Sequence, residues 1–226
     1  MLIYTEMESR SVFITGGTGY MGQMLIRALG TRGHSITAVV RPGSQGKLPV
    51  TSTPLVGDVL DGDSYAPFVT AQHTFVQLVG VAHPSPAKAR QFVEIDQRSA
   101  LEGIRVASDA KVRHFVYVSV AHPAPTMQAY VEVRMRCEAA IREAGLDATI
   151  LRPWYVLGPG HQWPYVLVPF YWLAERFPST RQSARRLGLV TIEQMTNALV
   201  HAVENPQPGI EILDVPAIRA LATKPR

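Results

Sequence analysis

Three glycines at a spacing of three residues, Gly16, Gly19 and Gly22, follow directly on a short run of β-branched and aromatic residues. That run, residues 11–15 (Ser-Val-Phe-Ile-Thr), is typical of a buried strand, and residues 20–31 after it carry apolar side chains at helical spacing. Glycines between a strand and a helix allow a tight turn and a close approach of the backbone to its surroundings. This order of strand, turn and helix predicts the first unit of a parallel α/β fold.

Short apolar runs and longer helical stretches continue to alternate along the chain. Further strands are predicted at residues 35–41, 53–56, 74–81, 114–120 and 148–151, and further helices at residues 88–110, 128–144 and 191–204. Because the strands are nearly continuous apolar runs, we expect helices to cover both faces of their sheet. We therefore predict an α/β fold with a doubly wound parallel (Rossmann) sheet and a small, less regular C-terminal lobe.

Composition narrows the classes of protein to which this chain can belong. Its 226 residues are enough for one large domain, and its net charge of +4 is small and scattered, which argues against a nucleic-acid partner. The single cysteine, Cys137, excludes an intramolecular disulfide and a multi-cysteine metal site, so we expect no metal and a reducing, cytoplasmic compartment. The most apolar window, residues 164–174, is too short to cross a bilayer, so we expect no integral membrane segment.

The glycine turn suits one kind of ligand. The first N–H groups of a helix lack partners within the helix and carry a partial positive charge, and a glycine turn lets a pyrophosphate reach them. The sequence therefore predicts a dinucleotide site with contacts from Gly16, Thr18, Gly19, Tyr20, Met21 and Gly22. We predict a leader at residues 1–10, a dinucleotide-binding core at residues 11–153, and a small substrate-side lobe of the same globular unit at residues 154–226.

The end of the second predicted strand bears on which dinucleotide binds. An acidic residue there favours NAD, because a carboxylate accepts hydrogen bonds from the ribose hydroxyls. This chain has Arg41 instead, with Ser44 and Lys47 nearby, and arginine pairs well with a 2′-phosphate. We therefore expect NADP(H) as the cofactor, with NAD(H) as the alternative. Asp58 and Val59 follow the third strand, and the spacing leaves two roles open for Asp58: a contact with the adenine amino group or a turn aspartate.

Three stretches together resemble one family. Thr-Gly-Gly-Thr-Gly-Tyr-Met-Gly after the first strand, Gly-Asp-Val-Leu-Asp after the third, and Ile-Leu-Arg-Pro-Trp-Tyr-Val-Leu-Gly-Pro-Gly from residue 150 are similar to the short-chain dehydrogenase/reductase superfamily. The similarity covers residues 11–205 and is to the extended and atypical branches: epimerase/dehydratase-like proteins, NmrA-like proteins, and the nucleotide-binding accessory subunit of respiratory complex I. The resemblance implies that Gly80, Pro153 and Tyr155 lie beside the cofactor, with Trp154 towards the substrate.

The resemblance also implies a catalytic set: a serine or threonine at the end of the fifth strand and a Tyr-x-x-x-Lys pair on the next helix. Ser119, Tyr130 and Arg134 stand at the matching positions. In this set tyrosine exchanges a proton with the substrate oxygen, the cation favours ionised tyrosine, and serine holds the oxygen. Arginine in place of lysine makes this a non-standard Tyr-x-x-x-Arg site, and none of the eight tyrosines has lysine four residues later. The competing interpretation is a surface helix with a solvated arginine.

Aromatic and apolar residues after the last motif suggest the substrate side. Trp154, His161, Trp163 and the apolar residues 166–172 predict contact with a small, apolar carbonyl or quinone-like substrate. The favoured hypothesis is an NADP(H)-binding oxidoreductase that transfers hydride as a monomer or homodimer. Two alternatives stay open: a redox-inactive NADP(H) sensor or regulatory protein, and a nucleotide-sugar epimerase or dehydratase.

Overall fold

A seven-stranded parallel sheet runs through the computed structural model, which describes residues 9–124, 126–158 and 187–221. The strands are, in chain order, β1 (Ser11–Thr15), β2 (Ser35–Val40), β3 (Thr53–Val56), β4 (His73–Gln77), β5 (His114–Val118), β6 (Ala148–Arg152), β7 (Tyr155–Leu157), β8 (Leu189–Thr191) and β9 (Ile210–Asp214). The large sheet has the order β3-β2-β1-β4-β5-β6-β9, and β7 and β8 form a separate parallel pair. Parallel neighbours need crossover connections, which place helices on the faces of the sheet.

Helices cover both faces of the large sheet. They are α1 (Tyr20–Gly30), α2 (Ala89–Gln91), α3 (Arg98–Asp109), α4 (Gln128–Glu143), α5 (Ile192–Glu204) and α6 (Val215–Leu221), with short 3-10 turns at Gln45–Lys47, Gly62–Ser64, Ala66–Phe68 and Pro86–Lys88. Val12 and Ile14 of β1 belong to the core shared with α1, α5 and α6, whereas Phe13 belongs to the core shared with α3 and α4. Successive strand residues thus point to opposite buried faces, and the predicted doubly wound α/β fold is confirmed.

Two predicted boundaries differ from the structure around one carboxylate. β4 ends at Gln77 and does not continue to Val81, because the Val81 amide leaves the sheet and donates to the Asp96 carboxylate at 2.8 Å. Asp96 lies in a π-helical segment, Phe92–Gln97, which joins α2 to α3 within the single helix predicted from the sequence. π-Helical turns are rare and occur often at functional sites.

Described residues after residue 153 add a strand to the large sheet and a helix to one of its faces. The Thr191 hydroxyl accepts from the Gln194 amide at 3.1 Å and the Gln194 side chain accepts from the Thr191 amide at 2.9 Å, a capping box that starts α5. α5 packs against α1, and β9 pairs with β6 at one edge of the large sheet.

The order of the strands leaves a crevice at the carboxyl edge of the sheet. β1 pairs with β2 on one side and with β4 on the other, so the connections after β1 and β4 leave the sheet in opposite directions. A crevice at such a switch point is the usual ligand site of open α/β sheets. Within the described residues, no helix is both long enough and apolar enough to cross a membrane.

Candidate functional site

The turn between β1 and α1 leaves no room for a side chain at Gly16, and the first turn of α1 leaves none at Gly22. Gly16 has a positive φ of 80°, and a Cβ built on it stands 2.7 Å from the backbone carbon of Leu78. A Cβ built on Gly22 stands 2.7 Å from the Cα of Gly17. The turn after β1 therefore packs directly on the segment that follows β4, and only glycine permits both approaches.

The start of α1 presents main-chain donors to the crevice. Gly19 is the N-cap residue, and the described residues supply neither a side-chain cap nor an acidic residue in the first turn. The Gly19 amide donates to the Gly16 carbonyl at 3.0 Å, and the Gln23 side chain donates to the Thr18 carbonyl at 3.0 Å, which together fix the turn. A short glycine turn that leads into an uncapped helix start fits a dinucleotide pyrophosphate.

Tyr20 and Met21 begin α1, and Tyr20 reaches the other end of the site. Tyr20 is 37% exposed, and Met21 is partly buried against the core. A Cβ built on Gly158, just after β7, stands 2.9 Å from Cζ of the Tyr20 ring. The first and last of the three sequence motifs are therefore in contact through Tyr20.

The residues predicted to bind adenosine follow β2 and β3. Arg41 is exposed directly after β2, and its carbonyl accepts from the Ser44 amide at 3.0 Å. Asp58 is exposed after β3, and its Oδ1 accepts from the Leu60 amide at 2.9 Å, so this oxygen has the contact of a turn aspartate. Val59 beside it is partly buried against the core.

A buried ion pair lies behind Gly80. The Arg134 side chain donates from Nη2 to Oδ1 of Asp96 at 3.1 Å, and Asp96 also accepts from the Val81 amide. A Cβ built on Gly80 stands 2.8 Å from Nη2 of Arg134 and 2.9 Å from Oδ1 of Asp96. The turn after β4 therefore rests on this pair, and a side chain at residue 80 would collide with it.

Arg134 is only 5% exposed, and its other contacts are also inside the protein. Its Nη1 donates to the Tyr117 hydroxyl at 3.2 Å and to the Val118 carbonyl at 3.0 Å. The guanidinium carbon lies 5.0 Å from the centre of the Tyr130 ring, close enough for a cation–π contact. Arg134 is thus not the solvated arginine of the competing interpretation, and it contacts Tyr130 through the face of the ring.

Burial and neighbouring charges shift the pKa values of Asp96, Arg134 and Tyr117. Burial raises the pKa of Asp96 above its usual value, although Arg134 and the Val81 amide act in the opposite direction. Burial opposes the charge of Arg134, but the neighbouring Tyr117, Tyr130 and Asp96 hold the pKa of Arg134 above its usual value. Burial also raises the pKa of Tyr117. Arg134 therefore stays a cation, and Tyr117 stays a neutral phenol.

A second buried carboxylate, Glu138, lies one turn further along α4. It accepts from the Ser119 hydroxyl at 2.7 Å and from Nε of Arg152 at 2.9 Å, and a second Arg152 nitrogen also contacts it. His122 and Arg142 lie 3.4 Å from its two oxygens. Burial acts to raise the pKa of Glu138, but the hydrogen bonds from Arg152 and Ser119 outweigh burial and hold this pKa below its usual value.

The structure brings Tyr130 and Trp154 together. Both pack against one small apolar cluster formed by Val120, Ala124 and Val131. The Ala121 amide donates to the Pro153 carbonyl at 2.9 Å, which keeps the ends of β5 and β6 side by side. Tyr155 follows as the first residue of β7. The predicted proton donor and the predicted substrate contact therefore share one part of the carboxyl edge.

The other predicted substrate contacts, His161, Trp163 and residues 166–172, lie outside the described residues. Among the described residues, no three histidine, cysteine or acidic side chains are grouped closely enough to hold a metal ion.

Asp96 and Glu138 are the site residues that sequence reasoning missed. Tyr130, Arg134 and Glu138 follow one another at intervals of four, which places them on one face of α4 and was a usable signal. Asp96 falls between Phe92 and Ala100 on the buried face of its helix, and a carboxylate at an apolar position is a second signal.

Comparisons with known proteins agree with this geometry. Residues 16–197 match the model of a family described as NAD(P)H-binding. A ceramide reductase from Caulobacter vibrioides is 27% identical over 214 residues, which cover 90% of this chain and 64% of the relative. A divinyl chlorophyllide a 8-vinyl-reductase from Oryza sativa subsp. indica is 25% identical over 158 residues, which cover 63% of this chain and 39% of the relative. The chain thus spans less than two thirds of the length of either reductase.

Solved structures share the fold. A short-chain dehydrogenase/reductase superfamily protein from Agrobacterium tumefaciens, with bound NAD, has a TM-score of 0.65 and 17% identity. The match covers 93% of this chain and 81% of that protein. The family model and the shared fold confirm the resemblance inferred from the three sequence motifs. The family model also confirms the prediction of a nicotinamide dinucleotide as cofactor.

Proposed function

Because the chain belongs to the NAD(P)H-binding family whose model residues 16–197 match, we propose that it is an NADP(H)-dependent oxidoreductase acting on a small, apolar carbonyl or quinone-like substrate. One observation carries the proposal: the turn after β1 and the first turn of α1 exclude side chains at Gly16 and Gly22, and the helix starts without a side-chain cap. This arrangement suits a pyrophosphate bound by main-chain N–H groups. Gly16, Thr18, Gly19, Tyr20, Met21 and Gly22 are the proposed contacts.

Arg41 is the residue on which we base the preference for NADP(H) over NAD(H). It is exposed directly after β2, where the adenosine ribose lies in this fold. The loop that begins at Arg41 returns to the glycine turn: its Leu48 side chain lies 3.2 Å from a Cβ built on Gly17. A guanidinium here pairs with a 2′-phosphate. Asp58 and Val59 are proposed to border the adenine.

Nicotinamide, when bound, supplies or accepts the hydride. We assign it to the space bordered by Gly80, Pro153 and Tyr155. Tyr130 is the proposed proton donor: its hydroxyl gives a proton to the substrate oxygen during reduction and takes one back during oxidation. It packs against the same apolar cluster as Trp154, the predicted substrate contact, and this supports the role. Ser119 uses its own proton in the bond to Glu138, so only its lone pairs remain for a substrate group.

The apolar surroundings of Tyr130 support an apolar substrate. Trp154 and the cluster of Val120, Ala124 and Val131 form this surface in the described residues. We propose that His161, Trp163 and residues 166–172 extend it. Both relatives reported above are named as reductases, and their names refer to ceramide and divinyl chlorophyllide, which are largely apolar molecules.

The proposal is tested by oxidation of NADPH in the presence of a panel of carbonyl compounds and quinones. We expect turnover with at least one apolar member. Tyr130→Phe should lower kcat about a hundredfold or more, because it removes the proton donor, while the Kd for NADPH stays unchanged. Tyr65→Phe is the matched control, because it removes a hydroxyl from the buried aromatic core around Phe13 and leaves Tyr130 in place. Equal turnover in the two variants would contradict the role of Tyr130.

A specific observation favours a second candidate, a redox-inactive NADP(H) sensor or regulatory protein. The groups expected to assist Tyr130 are occupied inside the protein: Arg134 bonds to Asp96, Tyr117 and Val118, and Ser119 bonds to Glu138. Tight NADPH binding with no oxidation across the whole panel would favour this candidate. The nucleotide-sugar epimerase or dehydratase stays the third alternative on the same fold.

A further inference from the structure

Arg134 and Asp96 form a pair whose charges cancel inside the protein. Both side chains are nearly or fully inaccessible to solvent, at 6% and 0% exposure, and their atoms lie 3.1 Å apart. Water screens buried charges weakly, so either charge without its partner would act strongly on its neighbours. Tyr130 is the neighbour that matters for the proposed reaction, since its ring centre lies 5.0 Å from the guanidinium carbon.

A lone cation and a neutral pair act differently on a nearby phenol. A cation a few ångströms away favours the phenolate, whereas a cation with an adjacent carboxylate does so much less. Asp96 is held in place by its own contact, since its Oδ1 accepts from the Val81 amide as well as from Arg134. Its carboxylate is therefore a fixed part of the surroundings of Tyr130.

We propose that Asp96 is a positioning residue for the reaction: as the fixed counter-ion of Arg134, it presents Tyr130 with a neutral pair instead of a lone cation. The inference rests on the proposed function, because the proton of Tyr130 matters only there. It also explains how arginine is accommodated at residue 134, since a buried arginine without a carboxylate partner is strongly destabilising.

The same carboxylate connects Tyr130 to the turn that borders the cofactor. Asp96 binds the Val81 amide, and Gly80 has no side chain because Asp96 and Arg134 lie where its Cβ would be. The position of Arg134 and the path of the chain after β4 are therefore fixed by one group. Loss of Asp96 alters the charge near Tyr130 and the support of this turn together.

The groups that face Arg134 and Tyr130 come from three elements. The π-helical segment contributes Asp96 and Phe92, whose ring meets that of Tyr130 edge-on at 5.0 Å. β5 contributes the Tyr117 hydroxyl and the Val118 carbonyl. α4 contributes the Cys137 thiol, which hydrogen-bonds to Tyr117 and whose pKa burial raises. Among these groups, Asp96 is the carboxylate that contacts the guanidinium of Arg134.

Spectroscopic titration of Tyr130 tests the inference without cofactor or substrate. The near-ultraviolet absorbance of tyrosinate is recorded against pH, and the same curve for a variant that also carries Tyr130→Phe is subtracted to isolate Tyr130. Asp96→Asn should move the midpoint about one pH unit lower, because it leaves Arg134 as a lone cation. Glu94→Gln is the matched control: it removes a negative charge from the same helical segment at an exposed position and should leave the midpoint unchanged.

A double variant keeps the test decisive if Asp96→Asn does not fold. Asp96→Asn with Arg134→Gln removes both charges, so no buried charge is left unpaired, and far-ultraviolet circular dichroism checks its folding. If Tyr130 faces a neutral pair, the midpoint in this variant stays near that of the unmodified chain. If Tyr130 faces a lone cation, the midpoint rises by about one pH unit or more.

The outcomes separate this inference from the proposed function. An Asp96→Asn midpoint equal to that of Glu94→Gln, or a raised midpoint in the double variant, overturns the role of Asp96 while NADPH binding stands. Failure of the chain to bind NADPH overturns the proposed function and leaves the titration result intact. With a panel substrate in hand, the same shift is expected in the pH profile of kcat.

Discussion

The two sides of the candidate site are built from different parts of the chain. On the β1–α1 side the surface is main chain, and its shape depends on the absence of side chains at Gly16 and Gly22. On the β5–α4–β6 side the surface rests on buried charged side chains, with Arg134 held by Asp96 and Arg152 held by Glu138. The first side suits a pyrophosphate bound by main-chain N–H groups, and the second holds buried charges that act on the side chains around them.

This difference predicts two kinds of sensitivity to substitution. A main-chain cradle is damaged by adding atoms, and the damage is local to the ligand. A buried charge network is damaged by removing one partner, since the remaining charge stays buried without compensation. Substitutions on the first side should therefore change mainly binding, and substitutions on the second should change mainly stability.

The largest expected effect is on the charged side. Glu138→Ala leaves Arg152, Ser119 and His122 without their common acceptor and should lower the free energy of unfolding by about 3–5 kcal/mol. Urea denaturation measures it. Glu143→Ala, an exposed change on the same helix, should alter the free energy by about 0.5 kcal/mol or less. Similar losses in both variants would mean that the Glu138 network does not stabilise the fold.

A smaller effect is expected on the glycine side. Gly16→Ala should raise the Kd for NADPH about tenfold or more, equivalent to 1.4 kcal/mol, because the new Cβ pushes the turn away from Leu78. Gly33→Ala is the control, because Gly33 has a similar positive φ of 78° but no atom within 4 Å of a built Cβ. Both variants share the backbone strain, and only Gly16→Ala should lose affinity. Equal affinities would mean that the close packing of the glycine turn does not determine dinucleotide binding.

Arg41 is the residue on the cofactor side that should distinguish NADPH from NADH. Arg41→Ala should raise the Kd for NADPH about tenfold and leave the Kd for NADH unchanged, since only NADPH carries the 2′-phosphate. Parallel titrations with NADPH and NADH measure the two Kd values. Arg27→Ala is the control, because Arg27 is an exposed arginine in the last turn of α1. Equal weakening for both dinucleotides would place Arg41 outside the 2′-phosphate site.

The smallest expected effect is on the pH dependence of stability, to which Glu138 and Asp96 contribute with opposite signs. The pKa of Glu138 is held below its usual 4.5, so its contribution is present above that value and is lost as pH falls through the lower folded-state pKa. The pKa of Asp96 is raised above its usual 3.8, so its ionisation costs stability as pH rises through that range. Relative to the unmodified chain, Glu138→Gln should flatten the acid loss of stability and Asp96→Asn should steepen it. Thermal unfolding from pH 6 to 3 measures both slopes, and slopes that change in the same direction would contradict the assignment.

Local sequence was sufficient to predict the strand, the glycine turn and the helix start on the β1–α1 side. β1, β3 and the glycine turn lie where the residue types and spacing predict, because a strand, a turn and a helix start depend on residues next to one another. The charged side depends on contacts between distant residues: Asp96 and Arg134 are 38 positions apart, and Ser119 and Glu138 are 19 apart. No local pattern predicts which arginine a buried carboxylate will meet.

The early end of β4 and the π-helical segment, the two differences from prediction around Asp96, have the same physical origin. Leu78 and Val79 continue the apolar run of β4, so the sequence gives no sign that the Val81 amide will leave the sheet for Asp96. The π-helical segment interrupts a pattern that is compatible with an ordinary helix, because apolar spacing does not distinguish the two in so short a segment. Both features depend on where Asp96 lies in the folded chain.

Titration of the purified chain with NADPH, followed by nicotinamide fluorescence, shows whether the glycine turn binds a dinucleotide. We expect saturable binding at one molecule per chain, weakened by Gly16→Ala and not by Gly33→Ala. Absence of saturable binding for both NADPH and NADH, in a chain shown to be folded, would contradict it.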